Sequence, residues 1–232
     1  MFGCFVDFQK AFDSIPRNTL FEKLLNYNIN GKIYDWLVVI YSHDIACVKI
    51  GNTLTDSFLT TQGVKQGCIL SPILFNIFLS DLQSIIEQPH CQPVHFKTNN
   101  PLGCLIWADD LILLSESQAG LEKMLSELKN YTETNGMKLN VKKTKVMIFN
   151  KTGRHMRRNI YFGTDKIETT REYKYLGFKV TPSGEIASGL KDLKDRAMRA
   201  FAKTKKKLGA FFRTKPEITL KIFKSLTIPI LL

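Results

Sequence analysis

Two short apolar runs, each meeting acid at its end, constrain this chain more than any other feature. GCFVDF (residues 3–8) carries Asp7 at the end of a strand-like stretch, and about a hundred residues later Asp109 and Asp110 stand between LGCLIW and LILLS. Apolar runs of this length bounded by turn signals read as buried strands. A carboxylate in such a place is costly to desolvate unless cations or a bound metal offset its charge. The chain must therefore either use these acids as a polar hairpin turn and a strand end, or gather them around a hard divalent cation. The second arrangement is suited to phosphoryl and nucleotidyl transfer, where two metal ions activate an attacking hydroxyl and stabilise a leaving oxygen.

The rest of the chain reads as a mixture of helices and strands. Helical patterns cover 17–28 and 32–42, followed by β-rich runs over 45–50 and 53–60 separated by the hairpin signal Gly51-Asn52. After a loop bearing Gly63 and Gly67, Ser71-Pro72 opens an apolar helix expected to run through Ile86 and to be buried. Residues 88–101 read as an irregular connection. A helix is predicted from Gln118 to Asn135, stopped by Gly136, then strands over 146–149, 160–162 and 173–180. From Ile186 the pattern is helical and basic, interrupted near Lys215-Pro216, and Pro229-Ile230-Leu231-Leu232 gives no capping signal.

Charge separates the two ends of the chain. The formal net charge is +12, yet residues 1–137 hold 9 basic and 14 acidic residues, whereas 189–232 hold 12 and 3. A polyanion partner fits this asymmetry, as does a merely soluble basic surface. With 44% hydrophobic and 23% charged residues and no apolar run near bilayer length, disorder and a membrane-spanning fold are not expected. Five scattered cysteines and no secretory pattern at MFGCFVDFQK suggest a reduced intracellular compartment. His90, Cys91 and His95 lack a fourth ligand at any recognised zinc spacing.

Five segments, in order, resemble the motifs of non-LTR (LINE-type) retrotransposon reverse transcriptases. FVDFQKAFD at 5–13 is similar to polymerase motif A, GVKQGCILSPILFNIFLSDL at 63–82 to motif B and WADDLILLS at 107–115 to motif C. GMKLNVKKTKVMIF at 136–149 resembles motif D and YKYLGFKV at 173–180 motif E. ADD alone would be weak, but a block of the form GVxQGxxLSPxLF is hard to meet by chance.

The resemblance implies an α+β polymerase palm over 1–184, a ferredoxin-like antiparallel sheet backed by helices, and the start of a helical thumb over 185–232. It implies that Asp7, Asp109 and Asp110 hold two Mg²⁺ ions, with Mn²⁺ as a substitute, and that the chain adds deoxynucleotides to a DNA primer on an RNA template. Phe8, Phe12, Gln66 and Gly67 would bind the nucleotide, Phe12 by excluding a ribose 2′-hydroxyl. Lys143 would neutralise or protonate the departing pyrophosphate. Tyr175, Leu176 and Gly177 would support the primer end, with Lys203 and Lys206 tracking the template-primer backbone. Each has a plainer reading: core packing for Phe12, a helix-leading turn for Gln66-Gly67, a solvated basic face for Lys142, Lys143 and Lys145, an ordinary β-turn at 175–177 and a solvated helix at 203–207.

Trp107 departs from the family, which has Phe or Tyr before ADD. Asp7 lies six residues after Met1, so the fingers that precede motif A are expected to be missing, and the last residues resemble an early thumb. The chain is then expected to be part of a larger polyprotein, nuclear in location, and weakly active or inactive in isolation. Two other readings stand beside this one: a non-catalytic nucleic-acid-binding remnant and, less well matched, an acid-metal nuclease.

Overall fold

The structure is a computed structural model describing residues 1–96, 100–209 and 216–226. Asn99, Lys215 and the terminal Pro229-Ile230-Leu231-Leu232 lie outside the described residues. The chain packs as two compact units, one formed by Met1–Ile148 and Met156–Thr169, the other by Phe149–His155 and the chain from Thr170 onward.

A six-stranded sheet organises the first unit. Its strands are β1 (Phe2–Val6), β2 (Cys104–Trp107), β3 (Asp110–Ser115), β4 (Lys145–Ile148), β5 (Ile160–Phe162) and β6 (Asp165–Thr169), in the spatial order β5-β6-β4-β1-β3-β2. Every pair is antiparallel except β4 with β6. Strand β1 is central because its residues are apolar on both faces, and Cys4, Phe5 and Val6 are all buried. Burial pushes the Cys4 thiol well above its ordinary range, and that of Cys104 to about 12, so these cysteines act as small hydrophobes.

The helices of this unit are α1 (Ala11–Ser14), α2 (Arg17–Asn26), α3 (Lys32–Ser42), α4 (Ser71–Leu79), α5 (Leu82–Ile86) and α6 (Gln118–Thr134). Helix α6 starts where the Ser117 hydroxyl accepts from the Gly120 amide at 3.0 Å. It packs Leu121, Met124, Leu125 and Leu128 into the core and lies against β1, β3 and β5. Its spacing of apolar residues is the 3.6-residue repeat of a helix with one buried face.

Several expectations are corrected. The helix expected over 71–86 is two, because Ser80 turns its hydroxyl onto the Ile77 carbonyl and Asp81 is drawn to Lys23 (2.7 Å) and Tyr131 (2.6 Å). The connection at 88–101 holds a 3₁₀ turn at Pro89–Cys91 and a short pairing of Val94–His95 with Pro101–Leu102. The runs over 45–60 form only two-residue pieces, although Gly51-Asn52 does turn Lys49–Ile50 back onto Thr53–Leu54. Strand β2 is an edge, with Leu105 and Trp107 exposed, rather than buried. Strand β6 was not expected, since Ile167 is its one buried residue.

In the second unit, β7 (Tyr173–Tyr175) and β8 (Phe178–Val180) form a hairpin, followed by α7 (Ile186–Leu208) and α8 (Pro216–Leu226). The segment over 173–180 thus folds back at Leu176-Gly177, both with positive φ (46° and 78°), a turn within the 175–177 stretch read as one. Helix α7 packs on β8 where Gly189 leaves room for the Phe178 ring; a Cβ there would sit 2.2 Å from it. Phe201 and Phe223 join α7 to α8 edge to face.

Candidate active site

The register of the sheet brings two of the acids together. Val6 pairs with Leu111, Asp7 follows Val6 and Asp110 precedes Leu111, so in this antiparallel pair the acids leave neighbouring strands at the same end. Asp109 sits in the two-residue turn between β2 and β3, where Trp107 pairs with Asp110. The other turn residue, Ala108, has φ 51°, a left-handed conformation that costs a residue with a Cβ about 1 kcal/mol. Its amide donates to the Asn76 side chain on α4 at 3.2 Å.

Burial, then the charges of Asp109 and Asp7, raise the Asp110 carboxyl above its ordinary range. Three carboxylates therefore share one field. Among the described residues, no group of three His, Cys, Asp or Glu side chains is disposed to hold a metal ion. The donor chemistry nevertheless suits one, since oxygen ligands with excess negative charge are what a hard divalent cation takes.

Residues 138–144 are laced along the end of β1. Gln9 donates its amide to the Lys138 carbonyl (2.8 Å), Asn140 its amide to the Asp7 carbonyl (2.7 Å), and the Asp7 amide donates to the buried Thr144 hydroxyl at 3.2 Å. The Asn140 turn then carries Lys143, whose ammonium reaches the Asp7 carboxylate at 4.0 Å. Lys145 pairs instead across the sheet with Glu168 at 2.7 Å, so the lysines of this cluster separate into one facing the acids and one bracing β6.

A second lacing joins the segment after β1 to the loop before α4. Val64 and Gly63 donate their amides to the carbonyls of Phe12 and Ile15, both at 2.8 Å. A Cβ on Gly63, whose φ is +82°, would lie 2.8 Å from the Asp13 backbone. Gln66 donates to the Asp13 carboxylate at 2.9 Å, and Phe12 stacks on Phe75 with ring centroids 5.0 Å apart. Beneath the loop, the buried Arg17 guanidinium donates to the Gly63, Tyr41 and Thr60 carbonyls, to the Thr60 hydroxyl and to Asp44 at 2.8 Å. Burial alone would raise the Asp44 carboxyl, but hydrogen bonds from Thr60, Lys65 and Arg17 outweigh it and hold it below the usual range.

Between these lacings lies an open cleft of about 600 Å³ lined by Asp7, Phe8, Phe12, Gln66, Gly67, Asp109 and Lys143. Seven of the sequence-predicted residues thus meet in one cavity, with Asp110 beside it in the field of two of them. Lys10 and Ser71 also line the cleft and were not singled out in the sequence; position alone, three residues after Asp7, could have drawn attention to Lys10. Tyr175, Leu176, Gly177, Lys203 and Lys206 belong to the second unit. There Arg196, also not singled out, donates to the Gly177 carbonyl and to Asp192, tying the hairpin turn to α7, while Lys203 and Lys206 are exposed. His90 and His95 approach Glu127 and Glu116 separately and Cys91 is buried, so these three do not converge.

Comparison with known proteins agrees with this fold. Residues 2–180 match the reverse transcriptase (RNA-dependent DNA polymerase) family. Over 196 residues the chain is 26% identical to the Retrovirus-related Pol polyprotein from type-2 retrotransposable element R2DM of Drosophila melanogaster, covering 79% of this chain and 18% of that protein. A Pol polyprotein from a type-1 retrotransposable element R2 of Popillia japonica is 30% identical over 141 residues, or 60% of this chain and 20% of the other. The chain spans about a fifth of the length of the curated relatives it matches. Among solved structures, apo telomerase from Candida tropicalis, truncated from its C-terminal domain, superposes with a TM-score of 0.55 at 17% identity, covering 79% of this chain and 34% of that one. That likeness supports the palm fold. Reverse transcriptases use divalent metal ions, for which oxygen donors such as these acids are suitable ligands. The chain belongs to the reverse transcriptase family, as a domain of the non-LTR retrotransposon type.

Proposed function

We propose that this chain supplies the catalytic palm of an RNA-directed DNA polymerase, adding deoxynucleotides to a primer 3′-hydroxyl on an RNA template. The observation that carries this reading is the meeting of Asp7 and Asp110 at the same end of neighbouring strands, with Asp109 in their field and one cleft in front. Asp7, Asp109 and Asp110 would hold two Mg²⁺ ions, or Mn²⁺ in their place, which when bound lower the pKa of the primer hydroxyl and stabilise the leaving pyrophosphate.

The chain's own groups do the positioning. Phe12, braced by Phe75, walls the cleft on the side of the sugar, and its rigidity is what lets it reject a 2′-hydroxyl. Gly67, with φ +81° and open space around it, allows the loop backbone to approach the nascent base pair, and Gln66 is held in place by Asp13. Lys143 would carry a proton or a charge to the departing pyrophosphate. Residues 1–184 serve as palm on this reading, with Tyr175, Leu176 and Gly177 supporting the primer, and 185–232 as the beginning of a thumb, where Lys203 and Lys206 meet the backbone of the template-primer. The substrates are deoxynucleoside triphosphates, the remaining contacts come from a larger polyprotein, and the site of action is the nucleus.

Single-turnover primer extension tests the reading, with the chain in excess over an annealed RNA template and DNA primer. Slow Mg²⁺-dependent addition that disappears in Asp109→Ala is expected. Salt-dependent binding of the same duplex without addition would favour the non-catalytic remnant instead.

A further inference from the structure

Strand β1 loses its neighbour β4 just where Asp7 leaves the sheet. The two strands pair from Phe2 with Ile148 to Phe5 with Lys145, and that register, continued, would set Lys142 opposite Phe8. Leu139 stands there instead, joined to Phe8 by an isolated bridge, and the residues in between loop out as the turn that carries Lys143. Backbone groups beside such an interruption lose their ladder partners and need others.

Asp7 finds both of its partners in that turn. Its carbonyl accepts from the Asn140 amide at 2.7 Å. Its own amide donates to the Thr144 hydroxyl at 3.2 Å, in place of the carbonyl that an unbroken ladder would offer. Thr144 is fully buried, and its β-branched side chain holds the hydroxyl in few orientations. The amides of Thr144 and Lys143 in turn donate to the Asn140 carbonyl at 2.9 and 3.1 Å. One turn thus fixes the backbone of Asp7 and carries the Lys143 ammonium, 4.0 Å from the Asp7 carboxylate.

We propose that Thr144 is a positioning residue: its hydroxyl fixes the end of β1 and so sets where the Asp7 carboxylate meets a divalent cation. This rests on the metal-site reading of the acids and adds to it the means by which one of them is placed. Valine at this position has nearly the same shape but no acceptor, so the Asp7 amide must shift to reach another, carrying the carboxylate with it. Displacing a reacting group by about 1 Å costs on the order of a hundredfold in rate.

Two measurements on the full chain test this: amide exchange at Asp7 by NMR without metal, and Mn²⁺ affinity by electron paramagnetic resonance. Thr144→Val should speed exchange at Asp7 and weaken Mn²⁺ binding, each on the order of tenfold. Thr144→Ser keeps the hydroxyl and should stay near wild type in both. Thr132→Val is the control: Thr132 is also buried, but its hydroxyl donates to the Lys129 carbonyl within α6, and neither measurement should move. Unchanged Mn²⁺ affinity in Thr144→Val, or an equal loss in Thr144→Ser, would overturn the role of the hydroxyl and leave the acids as the cation site. A wild-type chain that binds no Mn²⁺ would overturn that site and the role together.

Discussion

Two buried or half-buried carboxylates of the first unit, Asp44 and Asp110, have opposite surroundings. Asp44 receives Arg17 at 2.8 Å, Lys65 at 3.1 Å and the Thr60 hydroxyl at 2.5 Å, and its carboxyl is held low. Asp110 is raised by burial and by the like charges of Asp109 and Asp7. The first is a finished network, in which each charged group has partners and holds the loop at 60–65 to α2. The second is an unbalanced one, and the imbalance is what gives it an appetite for cations. The same residue type stands in the two places with reversed electrostatics.

Removing an acid from the unbalanced group should cost chemistry and leave the fold alone. Asp109→Ala is expected to lower primer extension by about 10³-fold or more, while its unfolding free energy, read by urea denaturation, stays within about 0.5 kcal/mol of wild type. Removing a member of the finished network should do the reverse. Arg17→Ala leaves Asp44 and three carbonyls without their donor, and a loss of about 3–5 kcal/mol in unfolding free energy is expected, read by urea denaturation. If Arg17→Ala were neutral, the contrast between the two sites would fail.

Acid titration sharpens the comparison with a smaller effect. Because the folded Asp44 carboxyl is lower than its unfolded value, its stabilisation is complete above about pH 4 and is lost as pH falls through the lowered folded value. Stability curves of wild type and Asp44→Asn should converge below that range; a constant gap would show that the charge of Asp44 contributes nothing. The smallest effect is expected at the turn between β2 and β3. Ala108→Gly relieves a left-handed alanine, so its unfolding free energy should rise by about 0.5 kcal/mol, with the Asn76 hydrogen bond retained.

Much of this site was legible in the sequence because its parts are local. The apolar run before Asp7, the turn holding Asp109 and the glycines before α4 all signal through neighbouring residues. What escaped reading depends on distant partners. Arg17 looks like the first residue of a helix, and only the fold shows that its side chain is buried under the loop at 60–65. Strand β6, DKIET, has too little apolar alternation to announce itself and is held by its neighbours β4 and β5. Ser80 and Asp81 sit in a run apolar enough to read as one helix, and the break follows from Lys23 and Tyr131 on other helices. The different fates of Lys143 and Lys145 likewise follow from sheet register, which places Glu168 beside the latter.

The central claim, that Asp7, Asp109 and Asp110 form a divalent cation site, is tested most directly by electron paramagnetic resonance titration of Mn²⁺ with the full chain in the presence of dTTP. Saturable Mn²⁺ binding that weakens strongly in Asp7→Asn and in Asp109→Ala, but not in Lys145→Ala, is the expected result. Mn²⁺ binding that those acid substitutions leave unchanged would contradict it.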